Sequence, residues 1–313
     1  MYPRYSDLSK RELNRRVERL FEILENCQIC PRRCQINRLK DKKGFCKVGY
    51  LPMVSAHHPH FGEESPLVGT HGSGTIFFTS CNLACVYCQN YEISQLRIGE
   101  EISFERLAGM MMELQKMGCH NINLVSPTSH VPAIVKALPI AREQDLKLPL
   151  IYNTNAYDSV EVLKLLDGIV DIYMPDVKYS DNKIALKYSN APRYYEIMKD
   201  AIKEMYRQVG DLMINEEGIA VKGLLVRHLV LPNNLAGTEK IVEFLAKEIS
   251  QNTFLNVMDQ YYPYFKVYPP KFCGTKFRRT SQFPELSRRI TDEEYLRAIN
   301  LAKNAGLKRL YKE

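Results

Sequence analysis

The chain has 313 residues, of which 45% are apolar, so it can bury the core of one large domain or of a large domain with a small one. Its apolar runs, such as GLLVRHLVLP, are interrupted by charge long before the length that a membrane-spanning helix requires. The formal charge of +7 comes from Lys and Arg spread along the whole chain, which disfavours a nucleic-acid-binding stripe. The N-terminal region lacks the apolar core of a secretory signal, and we therefore expect a cytoplasmic protein that does not contact membranes.

The first predicted element is an amphipathic helix within an N-terminal region of residues 1–26. Leu13 and Val17 belong to an apolar set that repeats at helical spacing. Ser9 and Glu12 precede this set and predict a capping box, which would start the helix.

A cysteine-rich, basic and turn-rich segment follows at residues 27–74 and is predicted to form a small module. Its four cysteines are separated by two, three and eleven residues, and they are Cys27, Cys30, Cys34 and Cys46. Clustered thiols in a reducing compartment indicate metal or redox chemistry in preference to disulfides. Four soft ligands suit tetrahedral zinc and a second iron–sulfur cluster equally well. His57, His58 and His60 are either additional ligands or part of a plain surface loop.

From residue 75 onward, strand-like and helical patterns alternate. Strand patterns are predicted at residues 75–80, 121–126, 148–153, 170–177, 223–231 and 254–258. Helical patterns are predicted at residues 103–118, 132–144, 159–167, 193–209, 238–250 and 291–304, the last preceding the strand candidate LKRLY. Six successive βα units predict an α/β fold with a parallel sheet, either open or closed into a full or partial barrel. We place the barrel core at residues 75–258 and a C-terminal cap and helix at residues 259–313.

The stretch CNLACVYCQN places Cys81, Cys85 and Cys88 directly after the first predicted strand. In parallel α/β sheets, the loops at this end of the strands carry the functional site. A cubic iron–sulfur cluster uses one thiolate per iron, so three cysteines would leave one iron open to a substrate or cofactor. Spacing alone also permits a zinc site completed by a distant His or Cys, or three buried thiols.

The C-x3-C-x2-C pattern, with Tyr87 before its third cysteine, resembles the radical S-adenosylmethionine (SAM) enzymes. The segments HPHFGEESPLVGTHGSGTIFFTSCNLACVYCQNYEISQ, NINLVSPTSHVP, VDIYMPDVKYSD and GLLVRHLVLP look like the PflX-type homologues of pyruvate formate-lyase activating enzymes. The resemblance covers about residues 27–313. It implies a partial (β/α)6 TIM-like barrel of radical SAM type, with a 4Fe–4S cluster on Cys81, Cys85 and Cys88 and with SAM bound at the open iron. It also implies oxidoreductase chemistry, in which reduced flavodoxin or ferredoxin supplies the electron that cleaves SAM to a 5′-deoxyadenosyl radical.

The resemblance further assigns cofactor-binding residues around the barrel mouth. Tyr87 is expected near the adenine, with ordinary core packing as the alternative. YNTNAY is similar to an Asp-Thr-Asn-Gly strand end in the family, which directs Thr154 and Asn155 toward the cofactor. Asn153 stands where the family has the acid, and it removes one negative charge from a cation site found in the activating enzymes.

Two more strand ends match the family. YMPDVK is similar to the family's Met-Leu-Asp-Leu-Lys segment, so Asp176 and Lys178 are expected to hold the methionyl end of SAM. Arg227 matches an arginine that contacts the cofactor, and its guanidinium could pair with the carboxylate. LVSPTSH replaces the Gly-Gly-Glu of most members, and Ser126 and Thr128 are expected to accept hydrogen bonds from the SAM ammonium group there.

The remaining candidates receive mainly structural roles. Cys119 is expected in the core, and His228 is expected to pack with its polar atoms satisfied. His130 is expected to be structural, with a catalytic role as the less favoured alternative. The aromatic and basic run at residues 260–279 is predicted to be a lid over the barrel mouth, with a peptide- or RNA-docking surface as the alternative. Cys273 within it is a candidate hydrogen donor by position, and no residue is assigned as catalytic.

The target of the radical follows from the resemblance alone, which implies hydrogen abstraction from a glycine of a glycyl-radical enzyme or from another protein substrate. A maturase or small-molecule enzyme that uses an auxiliary cluster is the alternative enzyme. An iron–sulfur electron carrier or a zinc-stabilised nucleic-acid module are the alternatives that are not enzymes. Both of these would leave Asp176, Lys178 and Arg227 without a purpose.

Overall fold

The computed structural model describes residues 3–268 and 281–311. The strands in these ranges are β1 (Met53–His60), β2 (Ser73–Phe78), β3 (Glu100–Glu101), β4 (Ile122–Val125), β5 (Leu150–Thr154), β6 (Ile172–Pro175), β7 (Met213–Ile214), β8 (Ala220–Leu229), β9 (Phe254–Met258) and β10 (Arg309–Leu310). The helices are α1 (Lys10–Glu25), α2 (Ser65–Val68), α3 (Tyr91–Ser94), α4 (Phe104–Lys116), α5 (Val131–Glu143), α6 (Val160–Leu165), α7 (Asn182–Ser189), α8 (Tyr194–Val209), α9 (Thr238–Phe244) and α10 (Asp292–Asn304).

The strands form one sheet in the order β10-β9-β8-β6-β5-β4-β2-β1-β3, and β7 pairs with β8. The neighbours from β2 through β10 along this order are parallel, whereas β1 pairs antiparallel with both β2 and β3. A helix follows each parallel strand and returns the chain to the start of the next one. The predicted α/β fold with a partial barrel of six βα units is therefore confirmed.

The sheet is buried on both faces because its side chains alternate. Tyr152 of β5 packs into the large core beneath the helices, and its neighbour Ile151 belongs to a smaller cluster on the other face. Leu67 of α2 is fully buried in that smaller cluster with Ile172 and Leu225. The short helix α2 therefore fills the start of the barrel interior and leaves the other end, where the strands finish, available for a site.

The strand β1 was not predicted and changes how the N-terminal part is attached. It lies inside the segment 27–74, and Val54 through His60 pair with β2. The sequence MVSAHHPH conceals the strand, because three histidines and a proline weaken both the apolar alternation and the strand propensity. The predicted boundary at residue 74 thus falls within β2 and separates β1 from most of the strand with which it pairs.

The helix α1 begins at the predicted residue, but it has only one of the two hydrogen bonds of the predicted capping box. The Ser9 side chain accepts a hydrogen bond from the Glu12 N–H. The Glu12 carboxylate instead accepts hydrogen bonds from Arg15 and Arg16, because these cations on the next turn attract it away from the cap. The apolar face of α1 packs on α5.

The predicted lid at residues 260–279 is described as far as residue 268, and Cys273 lies outside the described residues. Within the described part, Tyr261 is buried and its hydroxyl donates to the Leu286 carbonyl at 2.7 Å. Tyr91 stacks on Phe265, with 4.5 Å between the ring centroids. This segment therefore packs beside the loop that follows β2.

Candidate functional site

Polar residues gather where the parallel strands end. They line a cavity of about 500 Å³ that extends from the loop after β2 across the ends of β4, β5, β6 and β8. The lining contains these residues singled out from the sequence: Cys81, Cys85, Tyr87, Cys88, Ser126, Thr154, Asn155, Asp176, Lys178 and Arg227. The strand ends therefore bring the predicted set together, and the volume is that of a site for a small ligand.

The three cysteines of this cavity lie on a loop that is held by backbone hydrogen bonds. The Cys81 N–H donates to the Ser94 carbonyl, and the Cys88 N–H donates to the Cys85 carbonyl. Ala84 and Val86 donate to carbonyls at the end of α7, which is 100 residues further along the chain. The sequence did not predict α7, although it is the element that fixes this loop.

Each of the three sulfur atoms has a hydrogen-bonding partner. Asn155 Nδ2 donates to Cys81 Sγ at 3.2 Å, and Ser189 Oγ donates to Cys85 Sγ at 2.9 Å. The Cys88 sulfur lies 3.2 Å from Ser94 Oγ. Such partners orient thiolate ligands and tune the potential of an iron–sulfur cluster.

Burial governs the protonation of these thiols. It raises the pKa of Cys81 to about 12, and the neighbouring Cys85 adds to this rise. It raises the pKa of Cys85 to about 11, although the Lys178 ammonium group favours the thiolate. Without a bound metal the thiols are therefore protonated at neutral pH, and a coordinating metal is what would deprotonate them.

Two buried tyrosines extend the hydrogen bond at Cys85 into the core. Since Ser189 donates to the sulfur, Tyr179 donates to Ser189 at 2.7 Å and Tyr87 donates to Tyr179 at 2.5 Å. The Tyr87 ring lines the cavity, and its edge meets the Tyr261 ring. Tyr87 thus lines the cavity while its hydroxyl is used in this series of hydrogen bonds, and its contact with the adenine stays a prediction.

A charged network occupies the side of the cavity formed by β5, β6 and β8. The Arg227 guanidinium donates from Nε to Asp176 at 2.7 Å, from Nη1 to Glu63 at 2.8 Å and from Nη2 to Asn153 at 2.9 Å. Lys178 Nζ donates to the other Asp176 oxygen at 3.0 Å. Burial opposes ionisation of Asp176, but the two cations outweigh it and hold its pKa at about 2.

Glu63 is the member of this network that the sequence did not reveal. It lies in the loop between β1 and α2, and burial raises its pKa although Arg227 lies against it. Asn153 Nδ2 also donates to Glu63, at 3.4 Å. A carboxylate from another part of the chain thus stands beside the position where Asn153 replaces the family's acid.

The hydroxyl groups predicted near SAM fall into two groups. Ser126 lines the cavity, and its φ of +58° sets a tight backbone turn at the end of β4. Thr128 and Thr154 both donate to the buried carboxylate of Asp158, at 2.8 and 2.6 Å. Thr128 lies outside the lining of the cavity, so its contact with SAM stays a prediction.

The histidines of the N-terminal segment do not join the four cysteines there. His57 contacts Glu113 at 2.6 Å on the outer side of the sheet. His58 and His60 line the cavity of the three-cysteine loop, where both rings contact Phe77. The sequence left open whether these histidines are additional ligands or part of a surface loop. All three lie in strand β1 and none lines the cavity of the four cysteines, because alternation along the strand turns His58 and His60 into the barrel and His57 away from it.

The four N-terminal cysteines border a separate, smaller cavity, whose lining includes Cys27, Cys30, Cys34 and Cys46. In residues 3–268 and 281–311, no group of three or more His, Cys, Asp or Glu side chains forms a ready site for a single metal ion. Cys119 is buried in the main core, as the sequence predicted.

The family model for the radical SAM superfamily matches residues 75–245, which include the three-cysteine loop and strands β4 to β8. The chain belongs to the radical SAM superfamily. Membership implies a 4Fe–4S cluster and SAM as cofactors, cleavage of SAM to a radical, and a reductant that supplies the electron.

Two proteins of Methanocaldococcus jannaschii are similar to this radical SAM protein over nearly its whole length. The uncharacterized protein MJ0674 is 34% identical over 308 residues, which are 96% of this chain and 80% of that protein. The uncharacterized protein MJ0808 is 25% identical over 311 residues, which are 92% of this chain and 84% of that protein. The similarity therefore extends over most of this chain and over at least four fifths of each relative.

Solved structures of radical SAM proteins are similar at a lower level. The structure of anSMEcpe with bound AdoMet aligns with a TM-score of 0.48 and 11% identity, over 72% of this chain and 57% of that one. Methylornithine synthase PylB aligns with a TM-score of 0.42 and 17% identity, over 74% of this chain and 67% of that one. Among the described residues of this chain, no helix is long and apolar enough to cross a membrane.

Proposed function

We propose that Cys81, Cys85 and Cys88 hold the 4Fe–4S cluster, that the neighbouring strand ends hold SAM, and that the radical takes a hydrogen atom from a glycine of a partner glycyl-radical enzyme. The observation that carries the first two parts is the shared cavity, because three thiols and the strand-end polar groups border one space of about 500 Å³. The glycine target is supported by the resemblance to the PflX-type activating-enzyme homologues.

The cysteine loop fits a cluster with one open iron. Three thiolates ligate three irons, and the three sulfurs already have hydrogen-bonding partners in Asn155, Ser189 and Ser94. When bound, the cluster supplies the electron that cleaves SAM to methionine and the 5′-deoxyadenosyl radical. Asn155 thus acts on the cluster through its ligand Cys81, because its Nδ2 donates hydrogen bonds to Cys81 Sγ and to Asn82 Oδ1.

The two cations of the network, Arg227 and Lys178, differ in the number of hydrogen bonds that already hold their side chains. Arg227 uses three nitrogen atoms for Asp176, Glu63 and Asn153, which leaves two of its five N–H groups. Among the described residues, the Lys178 ammonium group makes one side-chain hydrogen bond, to Asp176, and it lies close enough to Cys85 to favour that thiolate. Because Lys178 is held by one partner and Arg227 by three, Lys178 is the cation with more freedom to receive the SAM carboxylate, and Arg227 mainly keeps Asp176 in place.

The size of the cavity favours a small target group. A volume of about 500 Å³ holds a single ligand of the size of SAM and leaves room for little more than the tip of a peptide loop. The cavity of the four N-terminal cysteines shares no lining residue with it. This separation favours the glycine target over a small molecule that is held by an auxiliary cluster at those cysteines.

The test of the first two parts is cofactor cleavage. Anaerobically reconstituted, reduced protein should convert SAM to 5′-deoxyadenosine, measured by chromatography, and Cys85→Ala should abolish the product. Cys119→Ala is the matched control, because it removes a buried cysteine that lines neither cavity. Protein that carries its cluster but yields no 5′-deoxyadenosine would overturn the proposal.

The glycine target needs a separate experiment. A glycyl-radical enzyme from the same organism, labelled with deuterated glycine, should acquire a glycyl-radical signal by electron paramagnetic resonance and should transfer deuterium to 5′-deoxyadenosine. Formation of unlabelled 5′-deoxyadenosine without a glycyl radical, for every candidate partner, would retire the target and leave the cofactor chemistry in place.

A further inference from the structure

The four N-terminal cysteines converge on one cavity, although they are distributed over 20 residues of sequence. Turns at both ends of the segment produce the convergence, since Arg33 donates its N–H to the Cys30 carbonyl and Lys47 donates to Gly44. All four side chains line this cavity, and Cys27 and Cys30 are buried in it. The structure therefore concentrates four potential negative charges in one small space.

A buried arginine lies at this cavity. Arg38 is 3% exposed, and its guanidinium donates to the Gly49 carbonyl from Nε and to the Ser129 carbonyl from Nη2, each at 3.0 Å. Arg38 lines the cavity together with the four cysteines, and its guanidinium lies beside the Cys27 side chain. Within the part of the chain that the structure describes, no Asp or Glu pairs with Arg38. A buried cation without a carboxylate partner is stabilised by another negative charge, which thiolates at this cavity would supply.

A second arginine stands between the two cysteine groups. The Arg32 guanidinium lies 3.5 Å above the centre of the Phe45 ring and donates from Nε to the Asn82 carbonyl at 2.8 Å. Arg32 also lines the cavity of the four cysteines. In the described ranges its hydrogen-bond acceptors are also carbonyls and not carboxylates.

We infer that Cys27, Cys30, Cys34 and Cys46 bind a tetrathiolate metal centre whose negative charge is neutralised by Arg32 and Arg38. Four thiolates with one Zn²⁺, or with the doubly charged core of an oxidised iron–sulfur cluster, leave two net negative charges, and the two guanidinium groups supply two positive ones. The thiols need not be in final ligand geometry beforehand, because metal binding and folding are coupled at such sites.

The same two arginines connect this centre to the cavity of the three-cysteine loop. Arg32 holds the carbonyl of Asn82, which is adjacent to Cys81, and Arg38 holds the carbonyl of Ser129 in the loop that begins at Ser126. A metal centre that fixes the two guanidinium groups therefore also braces two loops of the site. This inference does not depend on the proposed activity.

The first test counts metals in a protein that lacks the other site. The triple variant Cys81→Ala, Cys85→Ala, Cys88→Ala, reconstituted with zinc or with iron and sulfide and then desalted, should keep one zinc per chain, or iron with an equal amount of acid-labile sulfide. Labile sulfide identifies a cluster, and zinc without sulfide identifies a mononuclear centre. A folded triple variant that retains neither metal would overturn the inference, and so would retention that is unaffected by adding Cys30→Ser.

The second test addresses the charge balance with a matched pair of variants. Arg38→Met should accelerate loss of the metal to a chelator about tenfold or more, the usual scale for changes just outside the ligand shell. Arg142→Met is the control, because Arg142 also donates to two backbone carbonyls, those of Leu8 and Ser6, away from the cysteines. Equal release rates from both variants would contradict the role given to Arg38.

Discussion

We expect low pH to destabilise this protein because of two buried histidines, His228 and His130, whose rings hydrogen-bond to the loops that form the site. His228 Nδ1 donates to the Val177 carbonyl at 2.8 Å, and its Nε2 therefore accepts from the Thr238 hydroxyl. His130 Nε2 donates to the Thr79 carbonyl at 2.8 Å, two residues before Cys81. Burial lowers the pKa of His228 to about 4 and that of His130 to about 3, and the cations Lys178 and Arg38 act in the same direction.

The magnitude follows from the gap between these values and the ordinary histidine pKa of 6.5. Because the folded-state values are depressed, the unfolded chain binds the protons first, so stability is complete above pH 6.5 and falls as the pH drops toward 4. A pH of 5 lies about 1.5 units below the ordinary pKa, and each unit corresponds to about 1.4 kcal/mol. Each histidine should therefore lower the free energy of unfolding by about 2 kcal/mol at pH 5. The two together remove about 4 kcal/mol of the free energy of unfolding.

The assay compares urea unfolding of the natural protein and of His228→Gln at pH 7.5 and pH 5. Glutamine can keep one donor and one acceptor without taking up a proton. The stability difference between the two proteins should therefore shrink by about 2 kcal/mol at the lower pH, while other titrating groups cancel. Thr238→Val, which keeps the imidazole, should retain the pH dependence. A difference that stays constant between the two pH values would refute the reasoning.

Two further substitutions test the cysteine groups. Ser189→Ala removes the hydrogen-bond donor to Cys85 Sγ and should lower the reduction potential of the cluster, measured by a redox titration that is followed by electron paramagnetic resonance. An unchanged potential would show that this hydrogen bond does not help to set the potential of the cluster. Gly44→Ala would place a methyl carbon 2.8 Å from Cys34 Sγ and should reduce the metal content of the N-terminal centre by displacing this ligand. Gly109→Ala, whose added carbon meets nothing closer than 3.7 Å, should leave the metal content unchanged.

The parallel part of the fold was predictable because each βα unit carries its own pattern. Buried strands such as LPLIYN and helices with apolar faces such as α4 can be recognised from the pattern of about a dozen residues. Helix α7 escaped prediction although Asp181 caps it, because its eight residues bury only a short apolar face. Strand β1 escaped because its pairing with β2 depends on a partner and not on a local pattern.

The site was predictable to the extent that it lies at strand ends. Asp176 directly follows β6, and Arg227 lies near the end of the neighbouring strand β8, so topology alone brings them together. Glu63 lines the same cavity from the loop before α2, and Ser189 at the end of α7 donates to Cys85 from outside the lining. No spacing in the sequence connects either residue to the site. What sequence patterns leave out is thus the set of side chains that orient the ligands and not the ligands themselves.

The charges in the main cavity indicate which ligand it suits. Glu63 and Asp176 balance Arg227 and Lys178, so these four side chains sum to zero. Glu64 is a further carboxylate, 4% exposed, that lies behind the cavity lining and contributes to the electric field at Arg227. Asn256 donates to its Oε1, whereas its Oε2 has no hydrogen-bond partner among the described residues. A buried acid beyond a balanced set is costly unless a positive charge arrives. A ligand with a net positive charge, as SAM has through its sulfonium, supplies that charge, whereas a neutral or anionic ligand of the same size would leave it uncompensated.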